Sequence, residues 1–354
     1  MGIQVQSVFG RKIKGLALAL MAMGLSACGQ SNSDAKEASA EADKGEVVVF
    51  SARKQHLIEP LFNEFTKETG IKVNFITDSP QPLLARIGAS QDRVEADVFM
   101  AVDAGSLWSA SNQALLEPAN SEILNSRVPT EFQEPNGMWY GLSKRARTIV
   151  YSTERVKPES LSSYEQLADA EWKGRLCLRT SQKVYNQSLV GMLIEEYGEP
   201  KVKEILEGWV DNLAAPVFSS DTLLIQAIAS GMCDVGIVNT YYLGQELAKN
   251  ADLPVKIHWA NQESNGVHVN ISGAGIVKNA PHRDNAVKLL EFLVSDTAQK
   301  QFAGSNYEYP VVENIPVDPV VAKWGEFKGD KTPIAYAGEN QAKAIMLMDQ
   351  VGYQ

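Results

Sequence analysis

Downstream of residue 45 the chain switches repeatedly between two hydrophobic periods. Residues 46–50, Glu-Val-Val-Val-Phe, are a continuous apolar run, as expected for a strand covered on both faces. Leu57, Leu61, Phe62 and Phe65 then recur at helical spacing until Gly70 stops the pattern. A strand over 71–76, a helix over 82–90 and a strand over 96–102 follow. That βαβαβ order predicts a parallel sheet with right-handed crossovers. After a strand-like segment over 141–151 the alternation resumes with a strand at Leu176, helices over 187–197, 201–209 and 222–230, and a strand over 235–238. A strand over 273–278 and a helix over 285–293 complete it. Two such systems predict two α/β lobes, each a mixed sheet flanked by helices and joined by two hinge strands. One lobe takes 46–143 and 276–320; the other takes 144–275 and 321–354 with the C-terminal helices. Ligands of such folds sit at the carboxyl ends of strands, facing the cleft.

The first 45 residues read differently. Arg11, Lys12 and Lys14 precede an apolar run over 15–27 that is too short to span a bilayer as a helix. Residues 1–27 therefore read as an export signal. The run ends in Leu25-Ser-Ala-Cys28, the pattern of a bacterial lipoprotein box, in which the Cys28 sulfur takes the lipid; an ordinary signal peptide with a chance cysteine is the plainer alternative. Residues 28–45 are small and charged, as in a flexible tether.

Composition narrows the partners. Of 354 residues 44% are hydrophobic, and 33 basic against 43 acidic residues give a formal charge of −10. Nucleic acid is a poor partner for so acidic a chain. Besides Cys28 there are two cysteines, Cys177 and Cys233, both in strand-like runs. Outside the cytoplasm they fit either a disulfide tying two strands or a pair of buried thiols.

Nucleophile elbow, phosphate loop and zinc-helix signatures are missing, and the four histidines are scattered. Tyrosine is more informative. Tyr241-Tyr242 follows the strand over 235–238, and Tyr185 sits immediately before a predicted helix. Successive residues of a regular strand point oppositely, so adjacent tyrosines reach one cleft only where the backbone turns; packing within a loop is the plain alternative. A phenol ionises near pH 10, and a strongly acidic cation such as Fe³⁺ displaces that proton readily. Three phenolates leave an octahedral shell half filled, which an oxyanion such as carbonate would complete. Lys144-Arg-Ala-Arg147 and Ser51-Ala-Arg-Lys54 offer cationic anchors for it, unless they are solvated surface charges.

The stretches Ser51-Ala-Arg53, Gly137-Met-Trp-Tyr-Gly141, Lys144-Arg-Ala-Arg147, Tyr185-Asn-Gln-Ser-Leu189, Asn239-Thr-Tyr-Tyr242 and Asn306-Tyr-Glu-Tyr-Pro310 together resemble the ferric-ion-binding proteins of bacterial ABC iron importers. The similarity runs over nearly all of the chain after the leader. It implies a type II periplasmic-binding-protein fold that closes over Fe³⁺, with Tyr185, Tyr241 and Tyr242 as metal ligands. Arg53 and Arg145, with Arg147, would hold the synergistic anion. It also implies a non-enzymatic, monomeric carrier in the periplasm or cell envelope, held to the membrane by a lipid anchor alone and handing iron to an inner-membrane permease and its ATPase. Many relatives place a His-Tyr pair in the first strand-to-helix turn; here those positions are Lys54-Gln55, with His56 one step later. Whether His56 or Tyr140 contacts the site is left open at this level. Two other readings compete: a binding protein for a small organic or inorganic anion, with the arginines as its site, and an extracytoplasmic hydrolase.

Overall fold

The computed structural model describes residues 45–90 and 93–354. The expected export signal over 1–27, Cys28 and the expected tether over 28–45 lie outside the described residues, save Gly45. The first sheet begins as the hydrophobic runs predict. β1 (Glu46–Ser51) leads into α1 (Gln55–Thr69), β2 (Lys72–Thr77), α2 (Pro80–Ala89) and β3 (Val98–Ala101). β1 pairs in parallel with both β2 and β3. The apolar stripe of α1, Ile58, Leu61, Phe62 and Phe65, is buried. Val47, Val49 and Phe50 of β1 belong to the same core cluster, each such side chain adding about 1.5–3 kcal/mol by leaving water. Gly70 ends α1 in the left-handed region (φ 73°), where a Cβ would be strained.

Next come α3 (Ala104–Asn112), β4 (Leu116–Glu117), α4 (Glu122–Arg127) and the long β5 (Tyr140–Ser152). The second half of the chain supplies β6 (Leu176–Cys177), α5 (Val184–Tyr197), α6 (Glu199–Asp211), α7 (Asp221–Ala229), β7 (Val235–Asn239), α8 (Thr240–Lys249), β8 (Val255–His258) and β9 (Val269–Val277). After these come α9 (Arg283–Leu293), α10 (Asp296–Asn306), β10 (Tyr309–Pro310), α11 (Pro319–Ala322), α12 (Tyr336–Glu339) and α13 (Gln341–Gln350). The strands follow one hydrogen-bonded path, β2-β1-β3-β9-β5-β7-β6, with β10 and β8 on β5 and β4 on β9.

Strand β5 is what joins the two systems. Tyr140–Ala146 pairs with β9, while Arg147 onward pairs with β7 and β8. The strand thus changes neighbours between Ala146 and Arg147. β9 pairs antiparallel with β3 and β5 from Val269 on, so 269–275 run with the first sheet. β5 and β9 approach closely at Gly273, where a Cβ would lie 2.5 Å from the Tyr140 carbonyl oxygen. Close strand packing, rather than a phosphate loop, therefore accounts for Gly273-Ala-Gly275.

The second system has its own small core, in which Val150, Leu224, Ile228, Val238 and Val255 surround a disulfide between Cys177 and Cys233. The Cα atoms lie 6.0 Å apart, so β6 is tied to the residue leading into β7. Among the described residues no helix is long and apolar enough to cross a membrane.

Candidate metal and anion site

A cavity of about 190 Å³ opens where several elements begin or end. From the first sheet it receives Arg53 and Lys54 of the turn after β1, His56 at the start of α1, and Arg145 of β5. From the second it receives Tyr185 in the first turn of α5, and Tyr241 and Tyr242 in the first turn of α8. Asn239 ends β7 and stands at the N-cap of α8, so the chain turns into a helix just before the two tyrosines. Neighbours on a helix are about 100° apart rather than 180°, and both phenol rings therefore border one space, their centroids 4.3 Å apart. Three helices, α1, α5 and α8, begin at this cavity. None has a side-chain cap or an acidic residue in its first turn. Unpaired N–H groups and the positive ends of three helix dipoles thus favour negative charge here.

The cations are firmly held. Arg53 is buried; its Nη1 donates to Ser272 Oγ at 2.5 Å and its Nη2 to Glu308 Oε2 at 2.8 Å. Arg145 donates from Nη2 to the Val102 carbonyl, lies 3.7 Å from Asp103 Oδ2, and stacks over the Tyr185 ring at 5.4 Å. Arg179 lies over the rings of Tyr185 (5.3 Å) and Tyr242 (5.8 Å) and pairs with Asp221 at 3.4 Å. Arg53 Nε, Arg145 Nη1, and Nε and Nη1 of Arg179 are buried without a hydrogen-bond acceptor. Buried donors of this kind normally find one.

Burial is the main force on the titrating groups. It pushes the Tyr241 phenol well above its usual value near 10, with further help from the charges of Tyr185 and Tyr242. Burial and the Tyr242 charge raise Tyr185 in the same way, Arg145 opposing them. Burial lifts the Asp103 carboxyl to about 6 against Arg145 and hydrogen bonds from Ser188, Gly105 and Asn270. These phenols are therefore neutral in the empty site at neutral pH.

Arg147 needs correcting. It was expected to hold an anion, but all three of its guanidinium nitrogens are committed inside the fold. Nε donates to Asn186 Oδ1, Nη1 to Asp221 Oδ2 and Asn239 Oδ1, and Nη2 to the Ile237 carbonyl. It does not line the cavity. Nor does Tyr140, whose hydroxyl donates to Asn125 Oδ1 at 2.7 Å. His56 does reach the wall, as an exposed residue. His268 is buried and stays neutral, pushed down to about 3 by burial and then by the charges of Arg145 and Arg147. Residue reasoning missed Arg179 and Glu308. Arg179 follows closely on the end of β6, where the strand-end rule points; Glu308 stands inside the 306–310 stretch already singled out.

The profile of the bacterial extracellular solute-binding proteins matches residues 95–328. The chain belongs to this family. Iron uptake protein A1 of Synechocystis is 43% identical to it over 93% of either chain. A solved structure of the Trichodesmium protein IdiA (FutA) with iron and citrate is 42% identical and superposes with a TM-score of 0.84, covering 88% of this chain and all of that one. The apo ferric-ion-binding protein A of Pasteurella haemolytica is 38% identical, with a TM-score of 0.82 over 87% of this chain and 98% of that one. The resemblance drawn from the sequence is thus borne out. This solute-binding protein has the type II periplasmic-binding-protein fold, and its relatives are transport binding proteins rather than enzymes.

Proposed function

We propose that this solute-binding protein captures Fe³⁺ through the phenolates of Tyr185, Tyr241 and Tyr242. An oxyanion, carbonate or similar, would complete the shell, held by the free N–H groups of Arg53 and Arg145 and joined by Arg179. The observation that carries this reading is the donor set. Three phenols from two helix starts border one cavity, and among the described residues no His, Cys, Asp and Glu cluster suits a metal ion. A site for Zn²⁺ would offer His and Cys, and one for Ca²⁺ would offer carboxylates and carbonyls. Three phenolates cancel the charge of one trivalent ion, so the iron itself adds no net charge, and the negative charge of the oxyanion falls to the arginines. The iron-binding relatives support the same cargo. Delivery would be to an inner-membrane ABC permease and its ATPase, by a monomer tethered through Cys28 in the periplasm. The anion-only reading fares worse, because it leaves the three phenols that border the cavity without a role.

The test is spectroscopic. Protein loaded with ferric iron and bicarbonate should show a visible phenolate-to-iron charge-transfer band. The Tyr185→Phe and Tyr242→Phe variants should lose the band and weaken iron at least about 100-fold in chelator competition, more than the change typical of outer-shell partners. Unchanged colour and affinity in both variants would overturn the assignment.

A further inference from the structure

At the rim of the tyrosine-lined cavity two elements meet, one from each sheet system. The corner between α10 and β10 belongs to the first, since β10 pairs with β5 at Ser143 and Lys144. Its residues Asn306 and Glu308 line the cavity, and Glu308 holds Arg53. Helix α8 belongs to the second, and its Tyr241, Tyr242 and Gln245 line the same space. Tyr307, between the two lining residues of the corner, packs against α8 at Gly244. That glycine is three residues after Tyr241 and so lies on the same face of the helix. A Cβ placed on it would stand 2.8 Å from the Tyr307 Cβ, 2.9 Å from its Cγ and 3.2 Å from its Cδ1. Carbon atoms in contact rest about 3.5–4.0 Å apart, so only glycine admits Tyr307 at this position.

The corner is strained as well. Tyr307 caps α10 in the left-handed region (φ 56°), which a bulky side chain rarely adopts. Such a conformation persists where its surroundings hold it, and it gathers at ligand clamps. Here the residues that follow hold it, Glu308 on Arg53 and Tyr309 paired with Lys144. Two consecutive residues therefore face two walls. Glu308 grips the anion anchor of one, while Tyr307 meets the helix that carries two phenols of the other. We propose that Tyr307 is a positioning residue of the metal site: docked on Gly244, it sets the distance between the start of α8 and the wall that carries Arg53. The proposal rests on the ferric reading above. An anion held by Arg53 shares a metal ion with Tyr241 and Tyr242 only at one separation of the two walls, and this contact fixes it.

Gly244→Ala in the full chain tests this, because the added methyl group forces the two elements about 1 Å apart. Iron weakens at least about tenfold in chelator competition, since a site tolerates little displacement of its ligands. The urea midpoint of the iron-free protein holds or rises, because alanine favours a helix over glycine and the walls relieve the clash by parting. Tyr307→Phe keeps every atom that meets Gly244 and binds iron as the wild type does. Tyr307→Gly suits the left-handed backbone and removes the side chain, and in that background Gly244→Ala costs no further affinity. Three results would each overturn the proposal: wild-type affinity in Gly244→Ala, a urea midpoint that falls along with its iron affinity, or the same loss of iron in the Tyr307→Gly background. An unchanged colour and affinity in Tyr185→Phe and Tyr242→Phe would instead remove the ferric reading, and this proposal with it.

Discussion

On the wall built from β1 and β5, Arg53 and Arg145 each face a buried carboxylate, Glu308 and Asp103. The wall built from α5 and α8 carries three phenols and no carboxylate ligand, with Arg179 stacked against two of the rings. The first wall is charged but balanced before anything binds, and it keeps spare N–H donors. On the second, Tyr185 and Tyr241 are held neutral before binding and become anionic only when a cation displaces their protons. A selective site follows from that difference. A weakly acidic cation cannot displace the phenol protons, and an anion alone meets guanidinium groups already paired with carboxylates.

The sharpest test of the contrast is pH. Because Tyr185 and Tyr241 are held above their usual values, the empty site is protonated throughout the neutral range, and each phenolate formed on loading releases a proton. Iron affinity must then fall as pH falls, by up to about a thousandfold per pH unit if three protons leave. Chelator competition between pH 5 and pH 8 measures it, and a flat profile would mean that the phenols are not ligands.

A second test separates two arginines of one strand. Arg147→Met strips a partner from buried Asp221 and should destabilise the fold by about 3–5 kcal/mol, read as a lower urea midpoint. Iron-to-anion stoichiometry in the protein that remains folded should be unchanged. The smallest effect is expected from Arg145→Gln. It should leave the charge-transfer band in place but weaken the bicarbonate dependence of loading by about tenfold, the size of one charge-assisted hydrogen bond. If Arg147→Met, and not Arg145→Gln, changed the bicarbonate dependence, the assignment of the two arginines would be reversed.

Much of the frame could be read from local pattern. The run over 46–50, the stripe Leu61, Phe62 and Phe65, and Gly70 as a stop all became β1, α1 and its left-handed cap, because burial on two faces, burial on one face and positive φ each leave a local mark. Tyr185, Tyr241 and Tyr242 were legible for a similar reason: strand ends and helix starts are local events. Arg147 was not. It shares a four-residue motif and a strand with Arg145, and only the change of pairing partners between Ala146 and Arg147 sends it into the fold. Lys144, in the same motif, faces a different cavity altogether.

The amino-acid order by itself determined the alternation of strands and helices in the first sheet and which residues could supply phenolates; of the two cysteines expected in strands, Cys177 lies in β6 and Cys233 just ahead of β7. Those properties depend on neighbours a few positions away. Only the tertiary structure decided that Cys177 bonds Cys233, that Glu308 borders the cavity, that Arg179 backs two of its tyrosine rings, and that Arg147 is withheld from it. Each of these depends on which distant carboxylate, carbonyl or sulfur the fold brings within reach, and sequence spacing carries no record of that distance.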